Sequence, residues 1–110
     1  METKVDRVEN LAGGNGHAIV KHLIGQEQFK GRARLYAEIT LEKGCSVGYH
    51  KHDSECETYY ILKGEGKYND NGTIKKVSAG DVTFTCDGEG HGIENTGSED
   101  LVFIGLILLY

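Results

Sequence analysis

Three histidines and one glutamate between residues 50 and 91 are the residues whose types and spacing suggest metal chemistry. His50 and His52 are two residues apart, so on a β-strand both imidazoles point to the same face. Glu57 follows after enough chain for a tight turn into a next strand, and His91 lies in a glycine-rich segment that we predict to be a loop. Imidazole nitrogens suit Fe, Mn, Ni, Cu and Zn, and one carboxylate lowers the net charge of a divalent site while leaving the ion Lewis-acidic. Four such ligands leave open positions for water, dioxygen or a chelating substrate if the ion is five- or six-coordinate.

The elements that must position these side chains are short strands separated by glycine. Residues 35–41 alternate apolar and polar side chains with a period of two, and residues 58–62 are aromatic and β-branched. Asn69 to Gly72 has the composition of a hairpin turn. Near the N-terminus, 17–24 is a candidate strand, whereas 5–11 fits either a short helix or an extended arm.

The last segment, residues 101–110, is apolar on both faces. One interpretation is a central strand covered on both sides within the monomer, and the other is a strand whose outer face is covered by a second subunit. Because one face of a strand in so small a barrel ordinarily meets solvent, we expect a homodimer.

Length and composition exclude several classes of partner. The 110 residues support one domain, and the formal net charge of −5 offers no basic patch for nucleic acid or an anionic membrane. No segment reaches the ~20 apolar residues of a membrane span, and the charged N-terminus lacks a signal peptide's apolar core, so we expect a cytoplasmic protein. The three cysteines show no CxxC spacing, and we expect them to be reduced.

Two segments resemble the motifs of the cupin superfamily. The first is Gly44-x5-His50-x-His52-x4-Glu57-x6-Gly64, which matches at every named position. The second is Gly80-x5-Cys86-x-Gly88-x2-His91-x3-Asn95, with Cys86 where the family usually has proline. The resemblance is to the small single-domain, cupin 2 type of protein.

The resemblance implies a fold, a cofactor and a ligand set. The implied fold is all-β, an antiparallel jelly-roll (double-stranded β-helix) barrel over 31–110, with 1–30 as an N-terminal arm and first strand of the same domain. The implied cofactor is one divalent transition metal (Fe, Mn, Zn or Ni). Its implied ligands are His50, His52, Glu57 and His91. Asn95 is structural by the same match.

Several other residues compete for a role. Glu55 shares the strand face of Glu57, but the spacing to Gly64 selects Glu57. His17 and His22 are predicted to be surface or interface histidines, because no partner ligand lies at a matched spacing. Cys45 and Cys56 are expected to be structural.

The substrate-pocket candidates are Tyr49, Tyr59 and Cys86. Either tyrosine hydroxyl could contact a substrate, although such residues more often only line a barrel. Cys86 fits two interpretations: a soft ligand or nucleophile near the cavity, or a small buried side chain packed where the proline ring would be, which we favour.

Three functions fit this combination. The first, which we favour, is an enzyme that oxygenates, isomerises or decarboxylates a small polar organic molecule at the metal. The alternative is a non-catalytic protein that binds or senses a small ligand such as a sugar or an organic acid. The third is a structural role for the ion alone. A cavity without a proton-transfer residue near the ion would favour the binding protein.

Overall fold

Ten β-strands make up most of the chain in the computed structural model, which describes residues 3–110. The strands are β1 (Lys4–Glu9), β2 (His17–His22), β3 (Ala33–Leu41), β4 (Ser46–Lys51), β5 (Glu55–Lys63), β6 (Glu65–Asp70), β7 (Thr73–Ser78), β8 (Val82–Thr85), β9 (Gly90–Asn95) and β10 (Leu101–Leu109). A 3-10 turn (Leu11–Gly13) follows β1, and a one-turn helix, α1 (Gln26–Phe29), precedes β3. Within residues 3–110, no helix is long and apolar enough to cross a membrane.

The strands form two antiparallel sheets, which confirms the all-β prediction. The larger sheet has the order β1-β2-β3-β10-β5-β8, and the smaller has the order β4-β9-β6-β7. The N-terminal segment that fitted either a helix or an arm is β1, and it pairs with β2 along its full length. Since β2 in turn pairs with β3, the first strands extend the larger sheet.

The core lies between the inner faces of the two sheets. The period-two pattern of β3 places Ala37, Ile39 and Leu41 inward, and all three are buried. From the smaller sheet, Val47 and Ile93 meet them, and the whole set forms one cluster. Burying an aliphatic side chain of this size contributes roughly 1.5–3 kcal/mol, so these contacts hold the sheets together.

Asn95 closes the core at the turn between β9 and β10. Its buried side-chain amide donates hydrogen bonds to the carbonyls of Leu41 and Glu99, each at 2.8 Å, and its Oδ1 accepts one from the Gly97 amide at 2.9 Å. These bonds occupy the side chain within the turn, as expected of a structural residue.

Candidate metal centre

Two neighbouring strands and the facing sheet bring the four predicted ligands together. His50 on β4 is the register partner of His91 on β9, so the two imidazoles come from adjacent strands of the smaller sheet. His52 lies just beyond the end of β4, and its backbone bonds the loop before β9, through Glu89 and Gly88. Glu57 reaches the group from β5 of the larger sheet. The expected loop around His91 is wrong, since this residue lies in a strand.

The four donor atoms converge on one point. The Nε2 atom of His91 lies 3.0 Å from that of His52 and 3.1 Å from that of His50. Glu57 Oε1 lies 2.9 Å from His91 Nε2, 3.0 Å from His52 Nε2 and 3.8 Å from His50 Nε2. Each residue thus offers one ligand atom, and all four lie within 4.8 Å of one another.

These separations test whether the residues fit a metal ion. With metal–ligand bonds of about 2.1 Å, adjacent corners of an octahedron are about 3.0 Å apart, and corners of a tetrahedron about 3.4 Å. Four of the donor–donor distances, from 2.9 to 3.1 Å, match the octahedral spacing. The donor set therefore fits a six-coordinate divalent ion, with two coordination positions left to other ligands.

Burial and hydrogen bonding prepare the donors for a cation. His91, His52 and Glu57 are buried, whereas His50 is half-buried. Burial alone would raise the pKa of Glu57, but hydrogen bonds from His50, His52 and His91 outweigh it and hold that pKa well below its ordinary value. Burial lowers the pKa of His91, which favours the neutral imidazole that a metal requires.

Each histidine is also held at its other ring nitrogen. His50 Nδ1 lies 2.8 Å from the Gly48 carbonyl, and His91 Nδ1 lies 2.7 Å from the Tyr68 hydroxyl. His52 Nδ1 lies 2.7 Å from Glu55 Oε1. When an ion is bound, an Nδ1–H donated to these acceptors would leave the Nε2 lone pair free to coordinate it.

A cavity of about 350 Å³ opens above the group. Its floor carries His50, His52, Glu57 and Tyr59, and its walls are mainly apolar. Asp6, His22 and Arg34 complete the lining, and His22 Nε2 lies 3.0 Å from the Asp6 carboxylate. The site is therefore a mainly apolar cavity with the candidate metal ligands at its floor.

Comparison with known proteins identifies the family. The family model described as "Cupin domain" matches residues 37–107. The chain belongs to the cupin domain family. It is 48% identical to the oxalate-binding protein of Thermotoga maritima over 108 residues, which are 98% of this chain and 89% of that protein.

Solved structures agree with this cupin assignment. A crystal structure of a predicted oxalate decarboxylase from Thermotoga maritima superposes with a TM-score of 0.95 at 48% identity, covering 99% of this chain and 95% of that one. An uncharacterized protein from Klebsiella pneumoniae, described as having a double-stranded β-helix domain, gives a TM-score of 0.75 at 22% identity. That match covers 92% of this chain and 84% of the other. The predicted double-stranded β-helix fold is confirmed.

Of the predicted pocket residues Tyr49, Tyr59 and Cys86, only Tyr59 lines the cavity beside the four candidate ligands of this cupin. Its ring stacks on that of His91, with centroids 4.9 Å apart and planes 23° apart. Burial, together with the nearby Glu57 charge, raises its pKa well above the ordinary value, so the hydroxyl stays protonated. Tyr49 is exposed, packs over Gly90 and lines a separate surface pocket.

Cys86 does not line the cavity either. It is half-buried and forms a disulfide with Cys56, so the favoured prediction of a small buried side chain is wrong. The expectation of reduced thiols is wrong for this pair, and Cys45 is the free, buried cysteine among residues 3–110. The register explains the pairing. Glu57 on β5 is opposite Thr85 on the antiparallel strand β8. The residue before Glu57 is therefore opposite the residue after Thr85, which places Cys56 beside Cys86.

The sequence analysis missed the residues that hydrogen-bond the Nδ1 atoms of the histidines. Glu55 was considered only as a rival of Glu57, yet it binds His52 and accepts two hydrogen bonds from Arg34. Tyr68 has no assigned role in the sequence analysis. The spacing His52-x2-Glu55 was a usable signal for the first contact. No signal was available for Tyr68, because its contact with His91 forms only across β6 and β9.

Proposed function

We propose that this cupin binds one divalent transition metal through His50, His52, Glu57 and His91, and that the metal binds a small organic acid. Support comes from one observation above all: four donors at octahedral spacing leave two positions for a ligand with two adjacent oxygens. When bound, the ion would supply the Lewis-acidic charge that carboxylate oxygens coordinate. Fe, Mn and Ni suit such a six-coordinate site, whereas Zn ordinarily prefers four ligands.

Oxalate is the first ligand to test, since a relative 48% identical to this chain is named an oxalate-binding protein. Oxalate offers two adjacent carboxylate oxygens, which is the chelating arrangement that two free coordination positions accept. The apolar walls of the cavity would exclude water around the bound acid and strengthen its electrostatic attraction to the ion.

Binding without turnover is the role that the cavity chemistry favours. We call His50, His52, Glu57 and His91 the metal group. Three of the titratable side chains on the cavity floor belong to this group, and burial keeps Tyr59 protonated. The remaining titratable groups are Arg34, Asp6 and His22. Asp6 and His22 already contact each other. A floor without a free base resembles a carrier or sensor more than a proton-transfer enzyme.

The test combines metal analysis with calorimetry on untagged protein. We expect wild type to hold one equivalent of metal, and oxalate to bind the loaded protein but not protein stripped with EDTA. His52→Ala should lose stoichiometric metal, whereas His17→Ala, a histidine outside the group, should keep it. Retention of a full equivalent by His52→Ala, or equal binding of oxalate to stripped protein, would contradict the proposal.

Decarboxylation is the second candidate function, favoured by the similarity to a structure described as a predicted oxalate decarboxylase. Metal-loaded protein incubated with oxalate would then release formate and carbon dioxide. Release that disappears in His52→Ala and persists in His17→Ala would establish catalysis, and intact oxalate after prolonged incubation would leave the binding function.

We also propose that the protein is a cytoplasmic homodimer that binds neither nucleic acid nor membranes. Support for the dimer comes from the outer face of the larger sheet, where register places Leu106, Phe84 and Tyr60 on neighbouring strands. Tyr60 and Phe84 are exposed large hydrophobic residues. The acidic net charge supports the exclusion of nucleic acid.

A further inference from the structure

The three histidines of the metal group differ in the hydrogen-bond partner of Nδ1, the ring nitrogen that faces away from the metal position. His50 donates to a backbone carbonyl and His91 Nδ1 shares a hydrogen bond with a tyrosine hydroxyl, but His52 donates to the carboxylate of Glu55. That carboxylate is itself fixed. Arg34 donates to its Oε1 at 2.7 Å and to its Oε2 at 2.9 Å, in a two-bond arrangement.

We propose that Arg34 and Glu55 are positioning residues for the metal centre: Glu55 fixes the tautomer and orientation of the His52 ring, and Arg34 acts through Glu55. The inference rests on the proposed metal-binding function. It adds a second pair of residues, neither of them a ligand, on which metal affinity depends.

The placement of the pair in the fold supports this role. Arg34 lies on β3 and Glu55 on β5, and these strands are separated in the sheet by β10. The ion pair therefore spans a strand and brings a fixed anion to the segment that joins β4 to β5. His52 lies in that segment, beyond the last residue of β4, so strand pairing does not orient its side chain.

The chemistry explains why both residues are needed. A carboxylate accepting from Nδ1–H selects one tautomer of the imidazole and leaves Nε2 as the metal-facing lone pair. A glutamate side chain has several rotatable bonds, and a planar guanidinium that binds both of its oxygens restricts them. Loss of Arg34 should therefore leave Glu55 present but less well aimed at His52.

The first experiment measures Mn²⁺ binding to Glu55→Ala and Glu55→Gln by calorimetry. Loss of the partner of a metal-bound histidine typically weakens metal affinity about 10–100-fold, and we expect Glu55→Ala to fall in that range. Glu55→Gln places an amide NH2 opposite Arg34 but keeps one oxygen that can accept from His52 Nδ1. We therefore expect a smaller loss of Mn²⁺ affinity than in Glu55→Ala. Unchanged Mn²⁺ affinity in both variants would overturn the proposal.

A matched control separates this effect from the general loss of an ion pair. Glu9 pairs with Arg7 on β1 at 2.8 Å, and neither residue belongs to the metal group or lines its cavity. Glu9→Gln should bind Mn²⁺ as wild type does. An equal loss of affinity in Glu9→Gln and Glu55→Gln would show that any removed charge has the same effect, which contradicts a positioning role.

A double-mutant cycle tests whether Arg34 acts through Glu55. Arg34→Ala should weaken Mn²⁺ binding in the wild-type background and have no further effect in the Glu55→Ala background. If Arg34→Ala costs the same factor in both backgrounds, Arg34 acts independently and the second half of the proposal is wrong.

Imidazole NMR gives a readout that a merely structural role would not move. In metal-free protein, long-range ¹H–¹⁵N spectra report which ring nitrogen carries the proton. We expect His52 to carry a proton at Nδ1 in wild type and to hold its proton at Nε2, where Glu57 accepts it, in Glu55→Ala, with the metal-free melting temperature recorded for each variant. A variant that loses Mn²⁺ affinity but keeps the wild-type tautomer would contradict the proposal.

The same data distinguish the two levels of inference. If wild type itself fails to hold an equivalent of Mn²⁺ or another divalent metal, the proposed function is wrong. If wild type binds the metal and Glu55→Ala binds it equally well, only the positioning inference is wrong.

Discussion

At the scale of single residues, the candidate centre depends on protons being held in the right places. His91 is buried, and its Nδ1 contacts the hydroxyl of Tyr68, which in turn lies 2.6 Å from Thr85 Oγ1. The hydroxyl can accept from His91 and donate to Thr85 at the same time. A chain of neutral hydrogen bonds thus does for His91 what a carboxylate does for His52.

Removing this hydroxyl should therefore weaken metal binding. Tyr68→Phe leaves a buried Nδ1–H of His91 without an acceptor, which costs about 1–3 kcal/mol, and we expect metal affinity to fall about 10-fold or more. Calorimetry with Mn²⁺ checks this, and Tyr49→Phe is the control because Tyr49 lies outside the cavity. Equal affinities for Tyr68→Phe and Tyr49→Phe would show that the hydroxyl contact is unimportant.

The low pKa of Glu57 predicts a pH dependence for metal-free protein. Burial opposes ionisation, but hydrogen bonds from the three histidines lower the pKa below that of an unfolded glutamate, about 4.3. A carboxyl group with a lowered folded pKa stabilises the fold above the unfolded pKa, and this contribution is lost as the pH falls below it.

The measurement is the free energy of urea unfolding in EDTA between pH 5 and pH 3, in steps of about half a unit, for wild type and Glu57→Gln. Wild type should lose up to about 1.4 kcal/mol more per pH unit below pH ~4.3 than the variant, because only wild type takes up a proton at this residue on unfolding. Parallel pH profiles for the two proteins would contradict the assignment.

At the scale of elements, the sequence predicted strands best where burial follows a period of two. The alternation in 35–41 predicted β3, and its inward residues are buried as expected. The strand β9 was missed because Gly90 and Gly92 resemble turn residues. The structure shows a different reason for Gly90: a Cβ there would collide with the Tyr49 side chain, so glycine makes room for the ring.

The site was predictable to the extent that local spacing encodes it. The spacing of His50, His52 and Glu57 along two strands that are consecutive in the chain follows from the pattern, and the motif resemblance supplied His91. Contacts between distant segments were not predictable. The disulfide between Cys56 and Cys86 and the bond from Arg34 to Glu55 both depend on strand order, which side-chain spacing alone does not determine.

The disulfide leads to a prediction about the link between β5 and the end of β8. It closes a loop of sequence separation 30, which stabilises the fold by roughly 3–4 kcal/mol through loop entropy. The Cys56→Ser/Cys86→Ser double variant should unfold at a lower urea concentration by the equivalent amount. Dithiothreitol should destabilise wild type and have no effect on the double variant; an equal response of the two would contradict the pairing.

At the scale of the whole molecule, the larger sheet has an inner face that forms the core and an outer face with an apolar patch that extends from β10 to the edge strand β8. Across β10, β5 and β8, register aligns Ile104 with Tyr60 and Val82 in one row, and Leu106 with Thr58 and Phe84 in the next. Val82 and Phe84 are 67% and 61% exposed, values that are high for side chains of this type on a folded surface.

This outer patch suits a second copy of the same chain. With strands about 4.8 Å apart and about 3.3 Å per residue, three strands and seven residues of β10 span roughly 14 by 23 Å. That area is the apolar centre of an interface whose usual size is about 800 Å² per partner, and the surrounding polar residues would supply its rim. A two-fold dimer would place the same patch on both sides of the interface.

Light scattering after size exclusion tests this arrangement. Wild type should have twice the mass of one chain, and Phe84→Lys should shift it toward the monomer, because a lysine within the patch would be buried without a partner charge. Ile74→Lys is the matched control, since Ile74 is 59% exposed but lies on β7 of the other sheet. A monomeric wild type, or dissociation by Ile74→Lys and not by Phe84→Lys, would place the contact elsewhere or exclude it. Metal content measured on the same fractions would show whether Phe84→Lys keeps its metal, as we expect because the patch and the metal group lie on opposite faces of the sheet.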